Sequence, residues 1–360
     1  MKKHQHFIPK TYLKHFAHTA KNGTYLIAGY NKIKNEIKWD YSINDICVET
    51  DLYTLKHSPE MKYALEDFFS EKIENNIPLL YKILIDDKKE TITQEEKDII
   101  LGTTLSMYFR TPKVLNQFSH FVSILINSID IKGPATINFM GHNINIEGKT
   151  FKEIQKEIKE SNRIDYIRMQ LEIFSQFLEF KKNDGIAIIE LIGDNEYITS
   201  DNPVEIGQEF KDKVNLFDAS NSIYVPLDKK HALFIAPKID GSLQNRVFYR
   251  RDDFMQHVIL NHLVFENAER WVMGTKLGIT RFLEDEDRYG IPSDDNHPLI
   301  KKMKEKTKVM EEILRLSSKG IHDNPELVSF LQKFSQSDLF KESIDFQDIY
   351  EKLKRSGVKL

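Results

Sequence analysis

The stretch Asn183–Ile192, NDGIAIIELI, decides the fold class. Asn-Asp-Gly is a turn signal, and the apolar run Ile186–Ile192 behind it has the length and β-branched content of a buried strand. Downstream, Tyr197–Ser200, Ser222–Leu227 (SIYVPL) and Ala232–Ala236 (ALFIA) are further strand-like runs. Strands that follow one another through short turns pair as an antiparallel sheet, so the chain reads as α+β and not as alternating α/β.

Upstream of this sheet the pattern is helical, from about residue 58 to 183. Met61–Leu84 carries Leu65, Phe68, Phe69, Ile73 and Leu80 on one apolar stripe, with Pro78 expected to kink or split it. Thr93-Gln94-Glu95-Glu96 is a capping box that opens a helix ending near Arg110-Thr111-Pro112, and Pro112 suits the first turn of another. Gly133–Lys149 is rich in Gly, Pro and Asn and reads as a hairpin or excursion, after which Thr150 and Glu153 form a second capping box opening a helix toward Lys182. Nearer the N-terminus, Tyr12, Leu13 and Phe16 recur at helical spacing behind Pro9, Thr24–Tyr30 and Glu36–Tyr41 read as a hairpin, and a strand is expected near Leu52–Leu55. Helix returns at Asp252–Met273, capped by Asp252 or Asp253, and again at His297–Ser317. The expected organisation is one α+β core over residues 1–285, with N-terminal and central strands in an antiparallel sheet (about 184–275 for the central part), and a charged helical extension over 286–360.

Composition narrows the function classes. Of 360 residues, 40% are hydrophobic and 29% charged, which suits a packed globular protein, and the formal charge of −4 argues against a surface that grips nucleic acid all over. A local basic patch stays open. The single cysteine, Cys47, rules out an intramolecular disulfide and a multi-cysteine zinc cluster within one chain and fits a reducing compartment. With no long apolar run, no membrane span is expected, and the cytoplasm is the expected location.

No phosphate-binding glycine loop, dinucleotide fingerprint, His-Glu-x-x-His or Gly-x-Ser-x-Gly occurs. The remaining polar candidates each have a structural explanation beside a chemical one. His4 and His6 would share one side of an extended segment, and His15 and His18 one side of a helix, as metal ligands do; a solvated terminus explains them too. Thr199-Ser200-Asp201-Asn202-Pro203 ends a strand in a polar turn, where Asp201 would serve as metal ligand or base and Ser200 and Asn202 would orient a ligand. The same residues also make a stable turn. Arg110, at a helix end, offers a fork for phosphate or carboxylate, or caps its own helix. Glu66 and Glu74, eight residues apart, would lie near one helix face as paired acids or as solvated carboxylates. Glu179-Phe180-Lys181 has a nuclease-like spacing but falls on a helix where that chemistry uses a strand. Arg246, Arg250 and Arg251 with Phe248 and Tyr249 mix basic and aromatic residues as nucleic-acid surfaces do, but one such run in an acidic protein is explained as well by an edge strand, and it is set aside with the Glu-x-Lys spacing.

His6-x-x-Pro9-x-x-Tyr12-Leu13-x-x-Phe16 together with Thr199-Ser200-Asp201-Asn202-Pro203 resembles the bacterial domain-of-unknown-function 4238 family, over about residues 4 to 275. The helix around Glu66 and Glu74, the Arg110-Thr111-Pro112 helix end, Pro226-Leu227 and a helix with Asn261 and Ala268 follow in the same order. The resemblance implies that His6, Arg110 and Asp201 are shared positions, and it supplies no reaction. Three expectations follow, the third being that the chain binds a small molecule, which the sequence does not separate from the other two. In the first, the chain is a metal-dependent phosphoester hydrolase, one version of which is a nuclease in bacterial defence, with Asp201 and Glu74 holding a divalent metal such as magnesium or manganese, His6 acting as base or metal ligand, and Arg110 steadying developing charge. In the second, it is a non-catalytic binding or protein-interaction module, with the C-terminal helices recruiting a protein partner or a second copy.

Overall fold

The expected central strands form, and their period-two alternation divides the interior into two cores. A computed structural model describes residues 4–54, 62–114, 136–139, 142–150, 152–154, 156–157, 163–207, 216–237, 244–252, 254–289, 296–317, 320–322 and 324–360. Strand β1 (His4–His6), helix α1 (Lys10–Leu13), β2 (His18–Thr19), β3 (Tyr25–Asn31), β4 (Glu36–Ser42) and β5 (Val48–Thr50) come first. Helices α2 (Ala64–Phe68), α3 (Ile77–Tyr81) and α4 (Gln94–Phe109), the hairpin β6 (Thr136–Phe139) and β7 (His142–Asn145), and α5 (Arg163–Lys181) follow. Then come β8 (Gly185–Leu191), β9 (Thr199–Ser200), β10 (Glu205–Gly207), β11 (Ser222–Pro226), β12 (His231–Ala236) and β13 (Val247–Asp252). Beyond them lie α6 (Phe254–Asn267), β14 (Trp271–Gly274), α7 (Lys276–Tyr289), α8 (Pro298–Ser317), α9 (Pro325–Phe334), α10 (Asp338–Glu342) and α11 (Ile344–Arg355).

The protein is α+β, as its sequence implies. One sheet has the order β10-β11-β12-β8-β13, antiparallel throughout except that β13 runs parallel to β8. The second joins N-terminal and central strands: β3 pairs with β2, β4 and β14, and β14 with β9, all antiparallel. In the first sheet Ile186, Ile188, Ile223, Val225, Leu233 and Ile235 face the core shared with helices α2 to α5. Their neighbours Ile189, Leu191, Tyr224 and Ala232 face the other way, toward α6, α7 and the second sheet. The C-terminal helices gather around a cluster of their own, including Ile313, Leu327, Leu331, Phe334 and Phe346, while Leu299 and Ile300 of α8 pack on Val258 and Ile259 of α6.

Local signals explain many of the boundaries. At the head of α4, Thr93 Oγ1 accepts the Glu96 N–H at 3.1 Å and Glu96 returns a bond to the Thr93 N–H at 3.0 Å, so the capping box closes. The box at Thr150 and Glu153 closes as well. Pro78 sits in the first turn of α3 and splits the expected Met61–Leu84 helix, with π-helical turns at Phe69–Ile73 and Lys82–Asp86 on either side. Two expectations are corrected. The strand placed near Leu52–Leu55 is Val48–Thr50, paired with His4–His6, and Leu55 lies outside the described residues. The helix placed at Asp252–Met273 starts at Phe254 and stops at Asn267; Asp252 ends β13, Asp253 is outside the described residues, and Trp271–Gly274 is a strand between β3 and β9. Most of the helix expected after Pro112 also lies outside the described residues. No helix among the described residues is long and apolar enough to cross a membrane.

One side chain ties the N-terminal segment to both sheets. The Tyr12 hydroxyl, buried at 2% exposure, donates to the Pro226 carbonyl of β11 and meets Thr199 Oγ1 of β9, each at 2.7 Å. Removing it leaves a buried carbonyl and a buried hydroxyl without this partner, a cost of about 1–3 kcal/mol. Tyr12→Phe should therefore unfold at a clearly lower denaturant midpoint with an unchanged slope, as measured by urea titration.

Candidate functional site

Because Tyr12, Leu13 and Phe16 are buried, the other side of α1 and the turn after it must face outward. Lys10 and Lys14, four residues apart, lie on that side and line a cleft of about 440 Å³. Thr11, Asn22, Gly23, Thr24 and Tyr25 line it with them, and Ile43, Asn44 and Glu74 complete the wall. Lys14 Nζ stands 5.0 Å from the centre of the Tyr25 ring, and the Thr11 hydroxyl is buried without a hydrogen-bond partner among the described residues. Neither lysine enters an ion pair among the described residues, whereas Glu74 does, with Arg110 at 2.9 Å.

That ion pair is the cleft's link to the interior. Arg110 Nη2 donates to Glu74 and, at 2.6 Å, to the backbone carbonyl of His6, while the Arg110 carbonyl accepts the Tyr53 hydroxyl at 2.6 Å. The guanidinium is 2% exposed and lies 4.7 Å from the Phe69 ring centre, so its charge is held by one carboxylate, one carbonyl and a π face. Its Nε and Nη1 have no acceptor among the described residues. The His6 imidazole donates from Nε2 to the Ile43 carbonyl at 3.2 Å, since a carbonyl can only accept. Burial lowers its pKa to about 4, so the ring is neutral at physiological pH.

The structure thus brings His6, Arg110 and Glu74 together and gives the Thr199–Pro203 turn a different task. Both oxygens of Asp201 are engaged by backbone amides: Glu269 N–H at 3.0 Å, Arg270 N–H at 2.8 Å and Trp271 N–H at 2.9 Å. Burial raises the Asp201 pKa, and these three amides hold it partly down. Asn202 Nδ2 bonds Asn267 Oδ1 at 2.8 Å, Asn267 answers to the Asn202 carbonyl at 3.0 Å, and Ser200 Oγ accepts the Asn202 N–H at 3.1 Å. The turn therefore fixes the path from the end of α6 into β14. Asp201, Glu74 and His6 are not a metal-holding set: among the described residues no three His, Cys, Asp or Glu side chains are grouped to hold one ion. Glu66 bonds Gln5 at 2.8 Å and so serves β1 rather than pairing with Glu74. His4 is exposed on β1, His15 stacks on Tyr81 with ring centres 3.5 Å apart, and His18 lies 3.4 Å from Asp40, so the four histidines serve separate neighbours. Arg250 and Arg251 lie on edge strand β13, as one reading of the sequence had it, and Arg246 just precedes it, bridged to Thr91. The cleft lysines went unnoticed in the sequence, although their four-residue spacing behind Pro9 carries the signal.

A second polar group gathers under the end of α6. Lys113 Nζ bonds Asn267 Oδ1 at 2.6 Å, and Lys32 Nζ bonds the carbonyls of Phe265 and Ala268. Beside them Glu205, on edge strand β10, has a buried Oε1 without a partner among the described residues, and burial pushes its pKa up to about 8 against the pull of Asn267, Lys113 and Lys32.

Fold and site together define an α+β protein with a polar surface cleft beside its N-terminal helix. The chain belongs to the DUF4238 family, described as a protein of unknown function, whose model matches residues 4–276. Helices α8 to α11 lie beyond that match. Neither a curated protein nor a solved structure matches the chain.

Two outcomes test these assignments. Asp201→Asn turns one acceptor into a donor facing a backbone N–H, so the variant should lose about 1–3 kcal/mol. Its melting temperature should fall, and magnesium or manganese should move neither protein; a metal-dependent gain by wild type alone would return Asp201 to a ligand role. For Glu205, the folded state keeps a proton that the unfolded chain gives up near the ordinary value of 4.5, so stability should fall as pH rises from there to about 8. Glu205→Gln should match wild type near the lower end of that window and melt several degrees higher above its upper end, in melting curves taken across the range.

Proposed function

We propose that the protein is a binding module whose N-terminal cleft takes a small anionic ligand, a phosphate- or carboxylate-bearing molecule. The observation that carries this reading is the pair Lys10 and Lys14, which line one cleft without ion-pair partners among the described residues, with the unpartnered Thr11 hydroxyl between them in sequence. The volume, about 440 Å³, suits a small molecule. Glu74 does not cancel the field of the lysines, because its charge is already shared with Arg110. Two ammonium groups and a hydroxyl offer several donors to anionic oxygens, which accept charge-assisted bonds. The commitment of both Asp201 oxygens to backbone amides favours this reading over the hydrolase in which Asp201 holds a metal.

The test is calorimetric titration with inorganic phosphate, pyrophosphate and citrate, alongside melting curves. At least one should bind wild type and raise its melting temperature, by about 2.7 kcal/mol of added stability at a hundred times Kd. A Lys10→Ala, Lys14→Ala double variant should melt like wild type without ligand and gain little from it. If none of the three anions binds, the cleft reading falls. If wild type with magnesium or manganese instead cleaves a nitrophenyl phosphodiester and Glu74→Gln does not, the hydrolase reading replaces it.

A further inference from the structure

The wall of the N-terminal cleft is not uniform, and its unevenness narrows the ligand beyond a negative charge. One part, from α1, offers the ammonium groups of Lys10 and Lys14 and the Thr11 hydroxyl, all of them donors. Another part is formed by Ile43, Asn44 and Glu74. Buried contacts fix that second part in place: Arg110 Nη2 bonds both Glu74 and the His6 carbonyl, and the His6 ring bonds the Ile43 carbonyl. Glu74 is thereby held by one oxygen, Oε1, at 2.9 Å from the guanidinium, and its Oε2 accepts no hydrogen bond among the described residues. The Asn44 side chain is exposed and makes none among them either.

A carboxylate only accepts, so whatever meets Glu74 Oε2 must carry a donor and not a second anionic group. Hydroxyl and ammonium groups both donate. The hydroxyl fits better, because the Arg110 guanidinium already balances the Glu74 charge and repels another cation, and the neutral His6 ring adds no negative charge. At the lysine end, phosphate fits better than carboxylate. It brings three terminal oxygens to three donor groups, and lysine lacks the planar fork that matches a carboxylate.

We propose that the cleft binds a sugar phosphate, with the phosphate on Lys10, Lys14 and Thr11 and the sugar hydroxyl groups on Glu74 and Asn44, an inference that rests on the anion-binding reading of the same cleft. Glu74 then acts as a selector. A second anionic group at its end of the cleft meets an acceptor, so pyrophosphate and citrate should bind more weakly than the sugar phosphate.

Calorimetric titration of the full chain with glucose 6-phosphate, ribose 5-phosphate and ethyl phosphate tests this, the last being a monoester with no hydroxyl groups on its carbon chain. At least one sugar phosphate should bind about tenfold or more tightly than ethyl phosphate, the size of one hydrogen bond to a charged group. Asn44→Ala should shrink that ratio. Glu74→Gln should shrink it too, since it keeps an oxygen for Arg110 and offers an amide donor where an acceptor stood. It also removes the charge beside a buried guanidinium, so melting curves accompany it, and Asn44→Ala, at an exposed position, carries the test if Glu74→Gln does not fold. Ethyl phosphate binding as tightly as both sugar phosphates overturns the inference and leaves the anion-binding reading standing. A ratio unchanged in Asn44→Ala and in folded Glu74→Gln overturns it as well. If neither inorganic phosphate nor any of these esters binds, the anion-binding reading falls with it.

Discussion

The hydroxyl of Tyr12 is the point on which the arrangement turns. A four-residue helix cannot hold its own position in water, since nucleation fixes several dihedrals for one hydrogen bond. Helix α1 is held by its buried face, and the Tyr12 hydroxyl commits that face to β9 of one sheet and β11 of the other. Once this side is fixed, Lys10 and Lys14 have only the outer side left, and the cleft follows. The same anchoring draws β1 across the interior, where the His6 carbonyl meets Arg110 and the Gln5 side chain reaches the Tyr53 amide, Thr54 and Glu66.

Buried charge is arranged with similar economy. Lys181 Nζ, fully buried, meets the Asp184 carboxylate and the Asn221 carbonyl, each at 2.8 Å, and Lys97 Nζ meets the carbonyls of Asp184 and Gln244. These contacts fasten α4 and α5 to the start of β8. Burial lowers the Lys97 pKa and raises that of Asp184, so the group stands on its hydrogen bonds rather than on ion pairing alone. A buried pair of this kind gives little net stability but makes any other register expensive, because a shift strands a charge. Thus Glu179-Phe180-Lys181 contains no nuclease triad; Lys181 is a structural fastening.

The residues on which the resemblance rests turn out to hold segments together. Tyr12 meets Thr199, Arg110 meets the His6 carbonyl, Asp201 holds the turn at Glu269–Trp271, and Asn202 is locked to Asn267. Contacts of this sort secure the shape on which a site is mounted. Lys10 and Lys14, which line the cleft, fall on other positions, so those contacts shape the fold on which the cleft sits.

The sequence by itself determined the elements whose signals are local. The capping boxes at Thr93 and Thr150, the split at Pro78, the β3–β4 hairpin and the alternating strands after Gly185 were legible because caps, proline geometry and side-chain period act within a few residues. Trp271–Gly274 was not, since an apolar run of four after a helix reads as more helix until Asp201, seventy residues earlier in the chain, captures the amides that lead into it. The parallel pairing of β13 with β8 was hidden for the same reason. Of the candidate site, the sequence supplied Arg110, His6 and Glu74 as suspects and Lys10 and Lys14 as unremarked helix neighbours. Which of them share a cleft, and that Asp201 belongs elsewhere, only the tertiary structure decided, because hydrogen bonds between distant segments leave no periodicity in the chain that makes them.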